Sequence, residues 1–152
     1  TLQRLHLKPT RSMDSITAEA HTLHRKHPLT CVVVDYLSAM DAPGGGNQDT
    51  RSREVGAVSR ACKALAQTLD CVVLAASQLN RGTKDSNRPT LKSLRDSGEV
   101  EQDADGVALL HRPDHEDDEA TAQLLIAKNR WGELATIDLE PDLANHRFEW
   151  GF

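Results

Sequence analysis

The chain has 152 residues, 38% of them hydrophobic and 27% charged, with a formal net charge of −5. That length allows one domain with a real core, and the composition is that of an ordinary globular protein. The acidic balance excludes a global basic field, so nucleic-acid binding must come from a local patch or from assembly into a larger ring. No apolar run approaches the roughly 20 residues of a membrane span, and no signal peptide or lipidation signal is present. Cys31, Cys62 and Cys71 form no C-x-x-C pair; three is an odd number, and a reduced, cytosolic setting is expected. The chain starts at Thr1 rather than methionine, which reads as a fragment.

Leu5-His6-Leu7 is a strand candidate stopped by Pro9. Ser12 is placed to cap a helix, with Asp14 in its first turn and Ile16, Ala20 and Leu23 at the helical period up to His27-Pro28. His21, His24 and His27 span a wide arc without a carboxylate partner and read as a solvated face. Cys31-Val32-Val33-Val34 then runs into Asp35. Such a β-branched run reads as a strand buried on both faces, as in a parallel sheet. An aspartate at its C-terminal end sits where open α/β folds bind ligands. Nucleotide hydrolases of the P-loop class hold a hydrated magnesium there; a strand ending in a turn aspartate fits the same residues. Asp41 to Thr50 is a loop by its turn signals, and Gly44 to Gly46 read as connection, since no G-x-x-x-x-G-K-[ST] pattern surrounds them.

A long helix is expected from about Arg51 to Leu69, with Val55, Val58, Cys62, Leu65, Ala66 and Leu69 on one face. Cys71 to Ala76 is a second buried strand, ending in Ser77-Gln78. A strand, helix and strand of this length make a right-handed βαβ crossover, so Asp35 and Gln78 emerge on one edge. The Gln78 amide suits a phosphate or a water, or a backbone partner. Gly82 to Pro89 is polar and loop-like, and Glu99 to Asp105 holds a short helix. Gly106 to Leu110 is a third apolar strand. His111 to Glu119 lacks fixed ligand spacing and reads as a solvated hairpin loop. Gln123 to Lys128 and Leu134 to Leu139 form a β-hairpin around Asn129-Arg130-Trp131-Gly132-Glu133. Arg147 to Trp150 is a final edge strand.

Several of these segments together resemble the replicative hexameric helicases of the DnaB type, within the RecA-like ATPases. The matching residues are Val34-Asp35-Tyr36-Leu37, Arg51 and Glu54, Ser59-Arg60 with Lys63-Ala64-Leu65-Ala66, and Ser77-Gln78-Leu79-Asn80-Arg81. Arg88-Pro89, Leu94-Arg95-Asp96-Ser97-Gly98, Glu101-Gln102-Asp103-Ala104-Asp105 and Lys128-x-Arg130-x-Gly132 complete the set. They stand in the family's order, from about Leu29 to Trp150. The resemblance implies an α/β fold: a partial RecA-like P-loop NTPase core, a mostly parallel sheet flanked by helices, with a C-terminal antiparallel hairpin. It implies that Asp35 is the Walker B aspartate, organising magnesium through water, and that Gln78 is the sensor linking nucleotide state to the DNA loop. Arg95, Asp96 and Gly98 become the loop that follows single-stranded DNA. Lys128 and Arg130 become fingers reaching the γ-phosphate of the neighbouring subunit, although a Lys and an Arg two apart at a strand end also suit surface salt bridges.

The family's P-loop with lysine and threonine and its catalytic glutamate are absent, and Lys8-Pro9-Thr10 replaces the acidic pair usual before the first helix. Residues 1–152 therefore read as the C-terminal part of the ATPase domain, lacking the P-loop. The missing P-loop strand belongs beside the Ser77 strand, which leaves a gap in the core. The parent protein implied is an ATP- and magnesium-dependent replicative DNA helicase, cytoplasmic, translocating 5′ to 3′ on single-stranded DNA as a homo-hexamer. Primase and a helicase loader are its implied partners. This chain alone is expected to be inactive. A non-catalytic remnant, keeping the ring interface and DNA loop without hydrolysis, is the alternative. A recombination or clock ATPase is disfavoured by the ordered set Asp35, Gln78, Arg95 and Arg130.

Overall fold

The computed structural model describes residues 5–45, 51–79, 88–94, 97–113 and 121–150. The chain divides into two compact units, 1–78 with 98–103 and 79–97 with 104–152.

The first unit begins with helix α1 (Met13–Lys26). Ser12 has extended backbone and its Oγ accepts the Ser15 N–H at 3.2 Å, satisfying one of the donors a helix start leaves orphaned. Asp14 in the first turn and Arg25 and Lys26 in the last complement the helix dipole. The helix stops at His27, whose extended backbone is what a residue before proline prefers. Strand β1 (Cys31–Val34) leads through a 3-10 turn at Leu37–Ala39 towards helix α2 (Arg51–Leu69), and α2 returns to strand β2 (Val72–Ala75). Val55, Val58, Cys62, Leu65 and Leu69 of α2 are buried, the face set by the 3.6-residue period. Together with Met13, Ala20, Val34, Leu37, Met40 and Val100 they form one core.

β1 and β2 pair in parallel, Cys31 opposite Val72 through Val34 opposite Ala75. Val32, Val34, Val73 and Ala75 turn towards the α1–α2 core. The other face carries Cys31, Val33, Val72 and Leu74, and it is open: Val33 is 65% exposed, Val72 62% and Leu74 60%. The expectation of strands buried on both faces is therefore corrected. Their apolar composition suits two covering layers, but both packed helices share one core on one side. The expected strand at Leu5-His6-Leu7 is also absent. Leu5 and Leu7 stand 70% and 84% exposed, and a strand without a pairing partner has nothing to satisfy its backbone. Helix α3 (Ser97–Asp103) supplies Val100 to this core, and its Glu99 carboxylate forms an ion pair with Arg60 of α2.

The second unit is an antiparallel sheet of strands β3 (Gly106–His111), β4 (Ala122–Asn129), β5 (Ala135–Asp142) and β6 (Arg147–Trp150), in that order. The parallel pair plus C-terminal antiparallel strands is the α/β layout expected, with the antiparallel part extended from a hairpin to four strands. An apolar run such as Gly106 to Leu110 is compatible with either kind of pairing. Here β3 pairs with β4, its neighbour in sequence, as an antiparallel hairpin allows and a parallel pair does not. Leu94, Leu109 and Leu125 form this unit's core, with Leu79, Leu91, Val107 and Ala127 against it. Between β5 and β6, Asp142 accepts the Asn145 side-chain amide at 3.0 and 2.9 Å, pairs with Arg147 at 2.8 Å and accepts the Asn145 backbone N–H at 3.3 Å. These contacts hold its carboxyl below the usual range. His146 takes the left-handed conformation that turns the chain back, at φ 53°.

Residues 114–120 of the acid-rich stretch lie outside the described residues. Among the described residues no group of three or more His, Cys, Asp and Glu is placed to hold a metal, and no helix is long and apolar enough to cross a membrane.

Cys62 offers a direct check on the first unit's core. Its burial pushes the thiol from an ordinary 9.0 up to about 11. The folded state keeps the proton over a range where the unfolded state loses it, so this contribution is fully present below pH 9 and is lost as pH rises towards 11. The stability difference between wild type and Cys62→Ala, read from urea unfolding, should shrink by ~2 kcal/mol across that window. A pH-independent difference would place Cys62 in contact with water.

Candidate functional site

The C-terminal edge of the parallel pair is held together by backbone. Ala76 N–H donates to the Val34 carbonyl at 3.0 Å, and Leu37 N–H donates back to the Ala76 carbonyl at 2.9 Å. Asp35 leaves β1 at this edge and Gln78 lies two residues past Ala76; both are exposed. An exposed carboxylate here suits a water-mediated hold on magnesium, and a glutamine amide can donate and accept. The phosphates are a different matter. The sequence has no G-x-x-x-x-G-K-[ST]. Of the glycines after β1, Gly44 is committed elsewhere: at φ +78°, it gives its N–H to Asp14 Oδ2 at 2.8 Å. The residues present fit the magnesium and not the phosphate cradle.

Arg95 and Asp96 lie outside the described residues. Their flank is well built. Thr90 and Ser93 cap each other, Thr90 N–H donating to Ser93 Oγ at 3.0 Å and Ser93 N–H to the Thr90 carbonyl at 2.8 Å. Leu94, 5% exposed, forms an antiparallel bridge with Leu79. Leu79 follows Gln78 and Leu94 precedes Arg95 in the chain. Gly98 is exposed in the first turn of α3, and an added Cβ would meet nothing within 4 Å.

Lys128 is the next-to-last residue of strand β4, and Arg130 directly follows its end. The β3–β4 register skips Ala127, since Val107 pairs with Lys128 and Ala108 with Ile126. Such a bulge re-aims the strand end. Lys128 is half-buried and Arg130 exposed. The Arg130 N–H donates to the Asp105 carbonyl at 2.9 Å, and its Nη1 lies 2.9 Å from Asp105 Oδ1. The turn beyond is held by Asn129: Oδ1 accepts the Trp131 N–H and Nδ2 donates to the Glu133 carbonyl, each at 3.3 Å. A Cβ on residue 132 would come within 2.6 Å of that Nδ2, so the Asn129 side chain would have to move off its contact with Glu133. Trp131 is 78% exposed.

The sequence candidates thus fall into separate groups: Asp35 and Gln78 in the first unit, Lys128 and Arg130 in the second. Sequence reasoning missed Asp105 as the ion-pair partner of Arg130. Both residues stand in quoted motifs, but 25 positions apart, and only strand pairing joins them.

The model of the DnaB-like helicase C-terminal domain matches residues 4–150. A replicative DNA helicase DnaB of Mycobacterium leprae is 42% identical over 146 residues, covering 92% of this chain and 24% of that protein. The replicative DNA helicase DnaC of Bacillus subtilis is 36% identical over 133 residues, covering 84% of this chain and 29% of that protein. A solved DnaB-like replicative helicase, studied with its interactions with primase, superposes with a TM-score of 0.78 at 34% identity, over 89% of this chain and 34% of the other. A solved ATPase domain gives 0.82 at 34% identity, over 91% and 51%. The chain therefore spans about a quarter of the length of these curated relatives.

Proposed function

We infer, from the premise that this chain belongs to the DnaB-like helicase C-terminal domain family, that its parent protein is an ATP-dependent replicative DNA helicase. It unwinds duplex DNA by moving along a single strand as a hexameric ring, in the cytoplasm, with primase and a helicase loader as partners. Residues 1–152 are the C-terminal part of its ATPase domain. Asp35 holds magnesium through water, Gln78 senses the nucleotide, Arg95, Asp96 and Gly98 follow the DNA, and Lys128 and Arg130 serve the neighbouring subunit's nucleotide. ATP supplies the free energy for movement when bound; its phosphates are cradled by residues outside this sequence.

The observation that best supports this reading is the bridge between Leu79 and Leu94. It joins the residue after Gln78 to the residue before Arg95, a short path by which a nucleotide-edge glutamine can bear on a DNA loop. Leu94 is 5% exposed at that bridge.

Strand separation on a forked duplex tests the proposal in the full-length protein. Unwinding should require hydrolysable ATP and a single-stranded tail. Arg95→Ala should weaken single-stranded DNA binding without sequence preference and reduce the salt slope by about 0.7, the share of one phosphate contact. Unchanged affinity and slope would remove Arg95 from the DNA path. Rings that form and bind DNA but never unwind it would favour the non-catalytic assembly module instead.

A further inference from the structure

We propose that Asp105 is the positioning residue for Arg130, a role that rests on the reading of Arg130 as a finger acting on the neighbouring subunit. Two contacts of different kinds converge on this one residue. The Asp105 carbonyl accepts the Arg130 N–H at 2.9 Å, and the carboxylate Oδ1 lies 2.9 Å from Nη1. The first fixes the backbone where β4 ends. The second fixes the direction of a long side chain that otherwise has several rotamers to explore. Asp105 can do this because it directly precedes β3, and Gly106 of β3 pairs with Asn129, the residue before Arg130. The Asn129 contacts to Trp131 and Glu133 brace the same turn from its far side. A guanidinium held at both its backbone and its side chain is pre-aimed, and small errors of aim cost rate.

The pair is also weak enough to be functional rather than structural. The Arg130 side chain is 47% exposed, so water competes for the guanidinium although the facing Asp105 Oδ1 is itself buried. Asp105 therefore aims the arginine without trapping it, and the guanidinium can exchange the carboxylate for a phosphate oxygen.

Asp105→Asn keeps size and the backbone acceptor and removes the charge. The first readout uses the 152-residue chain itself, with the Arg130 guanidinium followed by nitrogen-15 NMR. Wild type should show a hindered guanidinium with separated Nη signals, and Asp105→Asn should merge them. The second readout is steady-state ATP hydrolysis by full-length rings of verified assembly. Asp105→Asn should lower kcat by about 10- to 100-fold with KM little changed, and should add nothing further in an Arg130→Ala background. A further loss in that background, or merged signals already in wild type, would overturn the proposal while leaving the finger reading intact. If Arg130→Ala itself leaves hydrolysis unchanged, the finger reading falls and this proposal falls with it.

Discussion

Arg130→Ala, introduced into full-length rings, is expected to lower ATP hydrolysis by roughly 10³- to 10⁵-fold, the worth of a finger that stabilises transition-state charge. Arg130 stands just past the end of β4, exposed, with its backbone tied to Asp105. Asp35 and Gln78, the candidate nucleotide edge of the same chain, belong to different strands and to the other unit. On the proposed reading, this arginine serves another subunit's nucleotide, and hydrolysis would then depend on assembly. Its surface ion pair with Asp105 would by itself contribute under about 1 kcal/mol to stability, so folding should be nearly unaffected. Two inactive proteins separate the cases. One carries Arg130→Ala with an intact P-loop; the other keeps Arg130 but lacks the P-loop lysine. Mixed rings should regain part of the activity, because some interfaces then join a sound loop to a sound finger. Mixed rings that assemble and stay inactive would rule out action in trans.

The second large effect concerns nucleotide binding by this chain alone. Most phosphate contacts in such sites come from backbone N–H groups of the glycine-rich loop and from its lysine. The 152 residues contain no such motif, and Gly44 has given its N–H to Asp14. What remains is an exposed aspartate and an exposed glutamine at a sheet edge. Calorimetric titration with ATP and magnesium should therefore find a Kd weaker than about 1 mM, some 10³-fold above a micromolar site and roughly 4 kcal/mol less favourable. Micromolar binding would mean that the nucleotide site has been misplaced.

Much of this was legible in local pattern. The helix from Arg51 to Leu69 is observed with those limits, because Val55, Val58, Cys62, Leu65 and Leu69 repeat at the helical period over about four turns and leave one way to bury them. The Ser12 cap, the crossover that brings Asp35 and Gln78 to one edge, and the hairpin around Gly132 likewise follow from residues within one turn or one connection of each other. The Leu5-His6-Leu7 stretch misled because an apolar pattern does not supply a pairing partner, and a strand exists only in a sheet.

Which strand joins which sheet was decided by tertiary structure. Gly106 to Leu110 is apolar enough for a parallel or an antiparallel neighbour; packing of Leu109 against Leu125 and Leu94 settles it. The same pairing, with its bulge at Ala127, sets Asn129 against Gly106 and so brings Asp105 to Arg130. Sequence determined the identity of the edge aspartate and glutamine and the helix that carries them into place, since these depend on spacing along the chain. The partner of Arg130 depends on a register between segments 25 residues apart. A slip of one residue would turn that face away, so only the folded sheet could choose it.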